Sequence, residues 1–358
     1  MKNIIIFIAL IMIILLNPAF ADNAPTYLYA LLNKTDNNGN LALFIEKINT
    51  STDRIESEIK VNAIYDNLFI SPNGDLLLSD CRDDISYLNR VDIIRNNSNK
   101  IEKYIRTKGA GPMQGYFIDN KLYLLMLSSY RGNPQGAGFE VYDIGKNKPQ
   151  YQKKIYFGKS SIAYSPAVTI SSDRKYFYVL MDKDIGIHAN SSIIKIGIVS
   201  GEINSEMNIS NRLGNACAII ALPNNKLYLY GYKEKAGSRS QKLAENILSY
   251  FGSNLEYIKA IKSGPAIFRF INDPDSNGII AFRRDRSEYP YIDIYDIKQD
   301  KLLKKVKVGH IWDAVYAGHN KVYATEMGND PGLLIIDLTT NKVSKKYPGS
   351  FTHLSFYQ

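Results

Sequence analysis

Ser71-Pro-Asn-Gly-Asp-Leu-Leu-Leu-Ser-Asp80 is a tight polar turn running straight into a short apolar strand. Asn and Gly tolerate the positive φ that a hairpin demands, and Pro fixes the entry to the turn. The phrase returns along the chain. Asp119-Asn120, Ser171-Ser-Asp-Arg174, Pro223-Asn-Asn225, Asp273-Pro-Asp-Ser-Asn-Gly278 and Gly318-His-Asn320 are turns of the same kind. Five of the strands that follow such turns are Asp75-Leu-Leu-Leu-Ser-Asp80, Lys121-Leu-Tyr-Leu-Leu-Met126, Lys175-Tyr-Phe-Tyr-Val-Leu180, Lys226-Leu-Tyr-Leu-Tyr230 and Lys321-Val-Tyr-Ala-Thr325. After a variable polar loop comes an alternating strand, as in Phe139-Glu-Val-Tyr-Asp-Ile144, Ile193-Ile-Lys-Ile-Gly197, Tyr291-Ile-Asp-Ile-Tyr-Asp-Ile297 and Leu333-Leu-Ile-Ile-Asp-Leu338. A Lys-punctuated strand closes each unit.

A four-stranded antiparallel unit of about 40 to 50 residues, repeated, is the signature of a β-propeller blade. Repeats fall at 62–108, 109–158, 159–210, 211–263, 264–309 and 310–349. The ends are left over: three strands at 26–61 and one at 352–357. Joined, they make a seventh blade, and closing the ring this way pairs two edges that would otherwise fray. The expected fold is an all-β, seven-bladed β-propeller, with six or eight blades as the neighbouring counts, closed by a C-terminal strand joining the N-terminal blade. Gln241 to Phe251 is the one stretch with helical apolar spacing, and a short amphipathic helix is expected there.

The 358 residues are 45% hydrophobic and 22% charged, with 26 Tyr, one Trp and two Cys. That excludes a disordered chain and a disulfide-stapled mini-domain. Residues 1–21 read as a signal peptide: Lys2, an apolar run from Ile4 to Leu16, then Ala19-Phe20-Ala21. The expectation is an exported protein, periplasmic or secreted, with residues 22–358 as a single propeller domain and no transmembrane anchor after cleavage. The net charge of +9 is spread along the chain without a Lys/Arg block, which argues against a nucleic-acid partner. Cys81 and Cys217 stand far apart, and the sequence leaves open whether they are bridged.

The turns, the Leu-Tyr-Leu strands and the Ile-Tyr-Asp-Ile strands resemble the exported bacterial propellers of the YVTN and NHL type. The resemblance covers residues 26–357, although the literal Tyr-Val-Thr-Asn strand and the Trp-Asp dipeptide are missing. Lys108-Gly-Ala-Gly-Pro112 is also similar to a stretch that recurs between blades in some exported propellers. That superfamily includes binding scaffolds, lactonases and lyases, so the resemblance implies architecture and leaves the reaction open.

Loop lengths assign the working face. First-to-second-strand turns are short, second-to-third-strand loops are long and chemically varied, and the two classes must leave an antiparallel blade on opposite faces. The long-loop face, with the connections between blades, gathers Arg131, Tyr164, His188, Arg283, Arg284, Arg286, Tyr289 and Trp312 as candidate binding residues. Arginine forks match carboxylates, sulfates and phosphates, and aromatic rings stack on sugars. Asp285 and Glu288 offer the same arginines ion-pair partners on a solvated loop, so no single arginine decides the matter.

Nucleotide, serine-hydrolase, zincin and Cys-x-x-Cys signatures are absent. His310 and His353 each precede an innermost strand of neighbouring blades, at the mouth of the central channel, with Asp313 nearby. His319 falls on the opposite face. The first expectation is therefore a non-catalytic binding or interaction propeller using its long-loop face, with no cofactor. Its partner would be an envelope or extracellular protein, or a small anionic or carbohydrate ligand. The alternative is a metal-assisted hydrolase or lyase, lactonase-like, with His310, Asp313 and His353 as catalytic residues; calcium is the metal that resemblance implies. A subunit of a periplasmic redox or envelope assembly is a third reading. Tyr123, Tyr178, Tyr228 and Tyr323 occupy equivalent strand positions and read as packing between blades.

Overall fold

A computed structural model describes residues 27–35, 40–61, 65–79, 89–96, 98–109, 111–126, 137–145, 148–158, 167–182, 191–223, 226–233, 245–263, 267–273, 278–283 and 291–357. It is a seven-bladed β-propeller of seven four-stranded antiparallel sheets. Blade 1 is closed as the sequence implies: Ser350–Tyr357 is its innermost strand and pairs with Tyr27–Thr35, followed outward by Leu41–Asn49 and Arg54–Val61. Blades 2 to 7 are built in order, and their innermost strands are Asn67–Ile70, Pro112–Ile118, Ala167–Ile170, Asn215–Ala221, Ile267–Asp273 and His310–Tyr316.

The sequence phrases have local causes. In the Ser71–Asp75 turn Gly74 sits at φ 79° and donates to the Ser71 carbonyl, while the Ser71 hydroxyl accepts the Asp75 N–H at 3.0 Å. A Cβ on Gly74 would also come within 2.7 Å of the Asn96 side-chain amide, which would have to move aside, so the positive φ is the main reason for glycine there. The recurring Asp or Asn at the end of third strands makes an Asx turn. Asp143 accepts Gly145 N, Asp296 accepts Lys298 N and Gln299 N, Asp337 accepts Thr339 N and Thr340 N, and Asn49 accepts Ser51 N and Thr52 N. These backbone donors hold the half-buried Asp296 and Asp337 carboxyls below their ordinary range.

The core lies between blades, where second and third strands are covered on both faces by their neighbours. Four tyrosines stitch these layers. The Tyr123 hydroxyl donates to Ile198 O of blade 4 at 3.3 Å, Tyr178 to Ser253 O of blade 5 at 2.8 Å, Tyr228 to Ile297 O of blade 6 at 3.3 Å, and Tyr323 to Asp53 Oδ1 of blade 1. Each reaches the third-to-fourth-strand turn of the next blade, which is the packing role expected of them.

One sequence reading is corrected. Glu245–Gly252 is the third strand of blade 5, not part of an amphipathic helix. Ile247, Leu248, Ser249, Tyr250 and Phe251 are all buried because both faces of the strand are covered, so alternation is lost and a helical spacing arises by accident. The one described helix is a single turn, Ser210–Leu213, between blades 4 and 5. Among the described residues no helix is long and apolar enough to cross a membrane.

Candidate functional site

The strand ends reproduce the loop asymmetry. Between described strands, second-to-third connections span four to eleven residues and first-to-second turns two to five, and they leave opposite faces. Arg131, Tyr164, His188, Arg284, Arg286, Tyr289 and Cys81 lie outside the described residues. Arg283 is the last residue of its strand, opposite Ile267 in the innermost strand of the same blade, so this strand end lies at the long-loop end of the blade.

A bulge repeated around the ring aims the channel residues. In blades 3, 5, 6 and 7 one extra residue interrupts the innermost strand near its long-loop end: Met113, Cys217, Phe268 and Trp312. In blade 1 Thr352 and His353 together face Leu31. Bulges bend an edge and re-aim the next side chain. The residue after each bulge is then Gln114, Ala218, Arg269, Asp313 and, in blade 1, His353. By register, Asn67 and Ala167 take the same position in blades 2 and 4. The channel mouth thus carries a contiguous polar arc of Arg269, Asp313, His353, Asn67 and Gln114, completed by two alanines that leave room beside it.

Asp313 and His353, singled out in the sequence, therefore stand at equivalent positions in adjacent blades. His310 is the half-buried first residue of its strand, nearer the loop face, and Trp312 is the half-buried bulged residue. The Asp313 carboxylate is fully engaged. Oδ1 accepts Arg269 Nη1 and Ala314 N, the latter at 2.8 Å, and Oδ2 accepts Leu354 N at 2.9 Å. Its own N–H donates to Thr325 Oγ1 at 2.9 Å. Among the described residues no group of three His, Cys, Asp or Glu side chains is arranged to hold a metal ion.

Burial pushes the His353 imidazole below its ordinary value; the Asp313 and Asp66 carboxylates pull it back up and the Arg269 guanidinium presses it further down. Arg269 is the residue that sequence reasoning missed. Its side chain is 40% exposed, and Nη1 donates to Asp313. In Phe268-Arg269-Phe270 it looks like ordinary strand alternation; the available signal was a charge at the third residue of an innermost strand.

Buried third-strand acids do a different job. Glu140 accepts Lys108 N at 2.9 Å, Gly109 N at 2.5 Å and the Tyr142 hydroxyl at 2.6 Å, clamping the connection from blade 2 to blade 3. Asp92 accepts the Tyr65 hydroxyl at 2.5 Å, clamping the connection before it. These carboxylates lie within the sheets rather than at the channel. On the short-turn face a cleft of about 220 Å³ between blades 4 and 5 holds Lys195, whose ammonium donates to Ser253 O at 3.0 Å and Asn254 Oδ1 at 3.3 Å, over the Tyr176 ring.

No protein-family model matches the chain, and no curated protein matches its sequence. Solved structures do match in shape. Hydrazine synthase of Kuenenia stuttgartiensis aligns over 89% of this chain and 98% of its own at 14% identity, with a TM-score of 0.63. A putative 6-phosphogluconolactonase from Bacteroides fragilis aligns over 94% and 99% at 13% identity, with a TM-score of 0.59. Apo AztD from Citrobacter koseri aligns over 93% and 98% at 10% identity, with a TM-score of 0.54. Likeness at this identity shows a shared propeller fold and nothing finer.

Proposed function

We propose that this chain is an exported, non-catalytic propeller that binds a small anionic ligand at the long-loop mouth of its channel. The carrying observation is that blade 6 brings the part-exposed guanidinium of Arg269 and the strand end at Arg283 to the same end of the propeller. Guanidinium forks recognise carboxylate and phosphate oxygens in pairs. Ala167 and Ala218 leave space next to that fork, and the neutral form of His353 supplies both a donor and an acceptor. The metal-assisted alternative needs a free carboxylate at Asp313, whose oxygens are instead taken by Arg269 and two backbone N–H groups. Export rests on the leader-like residues 1–21.

The test is differential scanning fluorimetry of residues 22–358 with citrate, inorganic phosphate and galacturonate as separate probes. At least one raises Tm by several degrees, and Arg269→Gln removes the rise. No shift with any of the three overturns the reading. So does hydrolysis of a lactone that requires added calcium or zinc and disappears in His353→Asn.

A further inference from the structure

The outer edges of the blades are not alike in charge. The fourth strands of blades 5, 6 and 7 are Tyr257–Lys262, Lys301–Lys307 and Lys342–Pro348, and together they carry nine lysines and no acid. Those of blades 1, 2 and 4 carry four basic and four acidic residues. Blade 3 has Lys153 and Lys154 on its edge, and Lys153 is spent on Val199 O and Ser200 O of the next blade. Lysines on edge strands deter sheet-to-sheet association. That explains a charge on every edge, and blades 1, 2 and 4 show that acids serve as well. It does not explain nine lysines without one acid on three neighbouring blades.

Part of the basic edge is internally paired. Lys259 faces Asp300 at 3.2 Å, Lys346 holds Glu326 and Asp330, Lys304 donates to Leu338 O, and Lys345 to Asp53 O. Lys301 and Lys342 stand opposite Asp296 and Asp337 in the ladder. Lys305 and Lys307, both exposed, make no ion pair among the described residues. Between these charges sit exposed apolar side chains: Leu302 at 40%, Leu303 at 46%, Ile258 at 48% and Val343 at 39%. Neighbouring blades turn away from one another around a ring, so a flat surface meets one edge squarely, and the edge of blade 6 is the middle one with the densest charge.

We propose that this rim, centred on Lys301–Lys307, docks on an anionic lipid bilayer. A soluble polyanion rewards only the lysines, whereas a bilayer rewards the lysines at its headgroups and Leu302 and Leu303 just beneath them. The surface is separate from the channel mouth and does not depend on what binds there.

The experiment is co-sedimentation of residues 22–358 with phosphatidylcholine vesicles, with and without about one-third phosphatidylglycerol, at about 0.05 M and about 0.5 M NaCl. Binding is expected only to the anionic vesicles at low salt. Lys305→Glu with Lys307→Glu lowers the bound fraction at least about five-fold, and the milder Lys→Gln pair lowers it by less, with unchanged thermal melts. Leu302→Ser with Leu303→Ser lowers it about two- to three-fold while leaving retention on heparin–agarose as it was. No binding to anionic vesicles, or binding indifferent to the lysine pairs, overturns the proposal. Indifference to the leucine pair overturns it too, because attachment would then be electrostatic alone, without the apolar side chains entering the bilayer.

Discussion

The backbone N–H of Leu354 donates to Asp313 Oδ2 at 2.9 Å, across 41 residues and from the closing strand to blade 7. The same carboxylate receives Arg269 from blade 6, so three blades meet on one buried residue. Removing it leaves two backbone donors and a guanidinium without their acceptor. Asp313→Ala is expected to cost about 2–4 kcal/mol, and Asp313→Asn, which keeps one acceptor oxygen, about half of that. Urea denaturation at neutral pH measures both, and a loss under about 0.5 kcal/mol for alanine would show that the contact does not hold the ring.

His353 makes stability depend on pH with a definite sign. Burial sets its folded pKa below the ordinary 6.5, so the folded protein prefers the neutral ring while the unfolded chain gains a proton below that value. The contribution is complete above about pH 6.5, is lost as pH falls through the folded value, and is flat below it. Tm should therefore fall further between about pH 7 and about pH 5 in the native sequence than in His353→Gln. Identical pH profiles for the two proteins would refute the assignment.

Blade number, blade boundaries and the closure by Ser350–Tyr357 were legible because each blade restates one turn-and-strand phrase, and the leftovers at the two ends sum to one blade. His310 and His353 read as preceding innermost strands, with Asp313 nearby; the strands begin at His310 and Ser350, so Asp313 and His353 are each the fourth residue of theirs. Arg269 was not legible, because a two-residue period cannot reveal a bulge, and it is the bulge at Phe268 that sends Arg269 to the channel. Ile247 to Phe251 misled for the opposite reason: a strand buried on both faces has no polar side to mark its period.

Glu140 is fully buried and should behave as an anchor rather than a reactive acid. Glu140→Ala strands the Lys108 and Gly109 N–H groups and is expected to cost about 2–4 kcal/mol, whereas Tyr142→Phe costs about 1 kcal/mol. Hydrogen exchange supplies the local signature. The Lys108 and Gly109 amides should lose protection in Glu140→Gln while amides in blades 5 and 6 keep theirs.

The tyrosine stitches between blades make the last prediction, and two of them can be set against each other. Tyr178 joins blade 4 to blade 5 through Ser253 O, and Tyr228 joins blade 5 to blade 6 through Ile297 O and Asp300 Oδ1, so they share no partner. Phenylalanine keeps the ring and its packing and removes only the hydroxyl. Each Tyr→Phe change should cost about 1 kcal/mol, and the double variant should lose the sum within about 0.5 kcal/mol. Tyr178 also has a signature in alkali. Burial, with smaller help from Asp173, Tyr176 and Glu256, pushes the Tyr178 phenol up to about 12 from its ordinary 10. Its folded-state advantage is complete below about pH 10 and is lost as pH rises toward that raised value, so Tyr178→Phe should flatten the loss of Tm above pH 10. A double variant losing much more than the sum would mean that the interfaces melt as one unit. An alkaline slope unchanged by Tyr178→Phe would mean that the phenol already ionises in the folded ring.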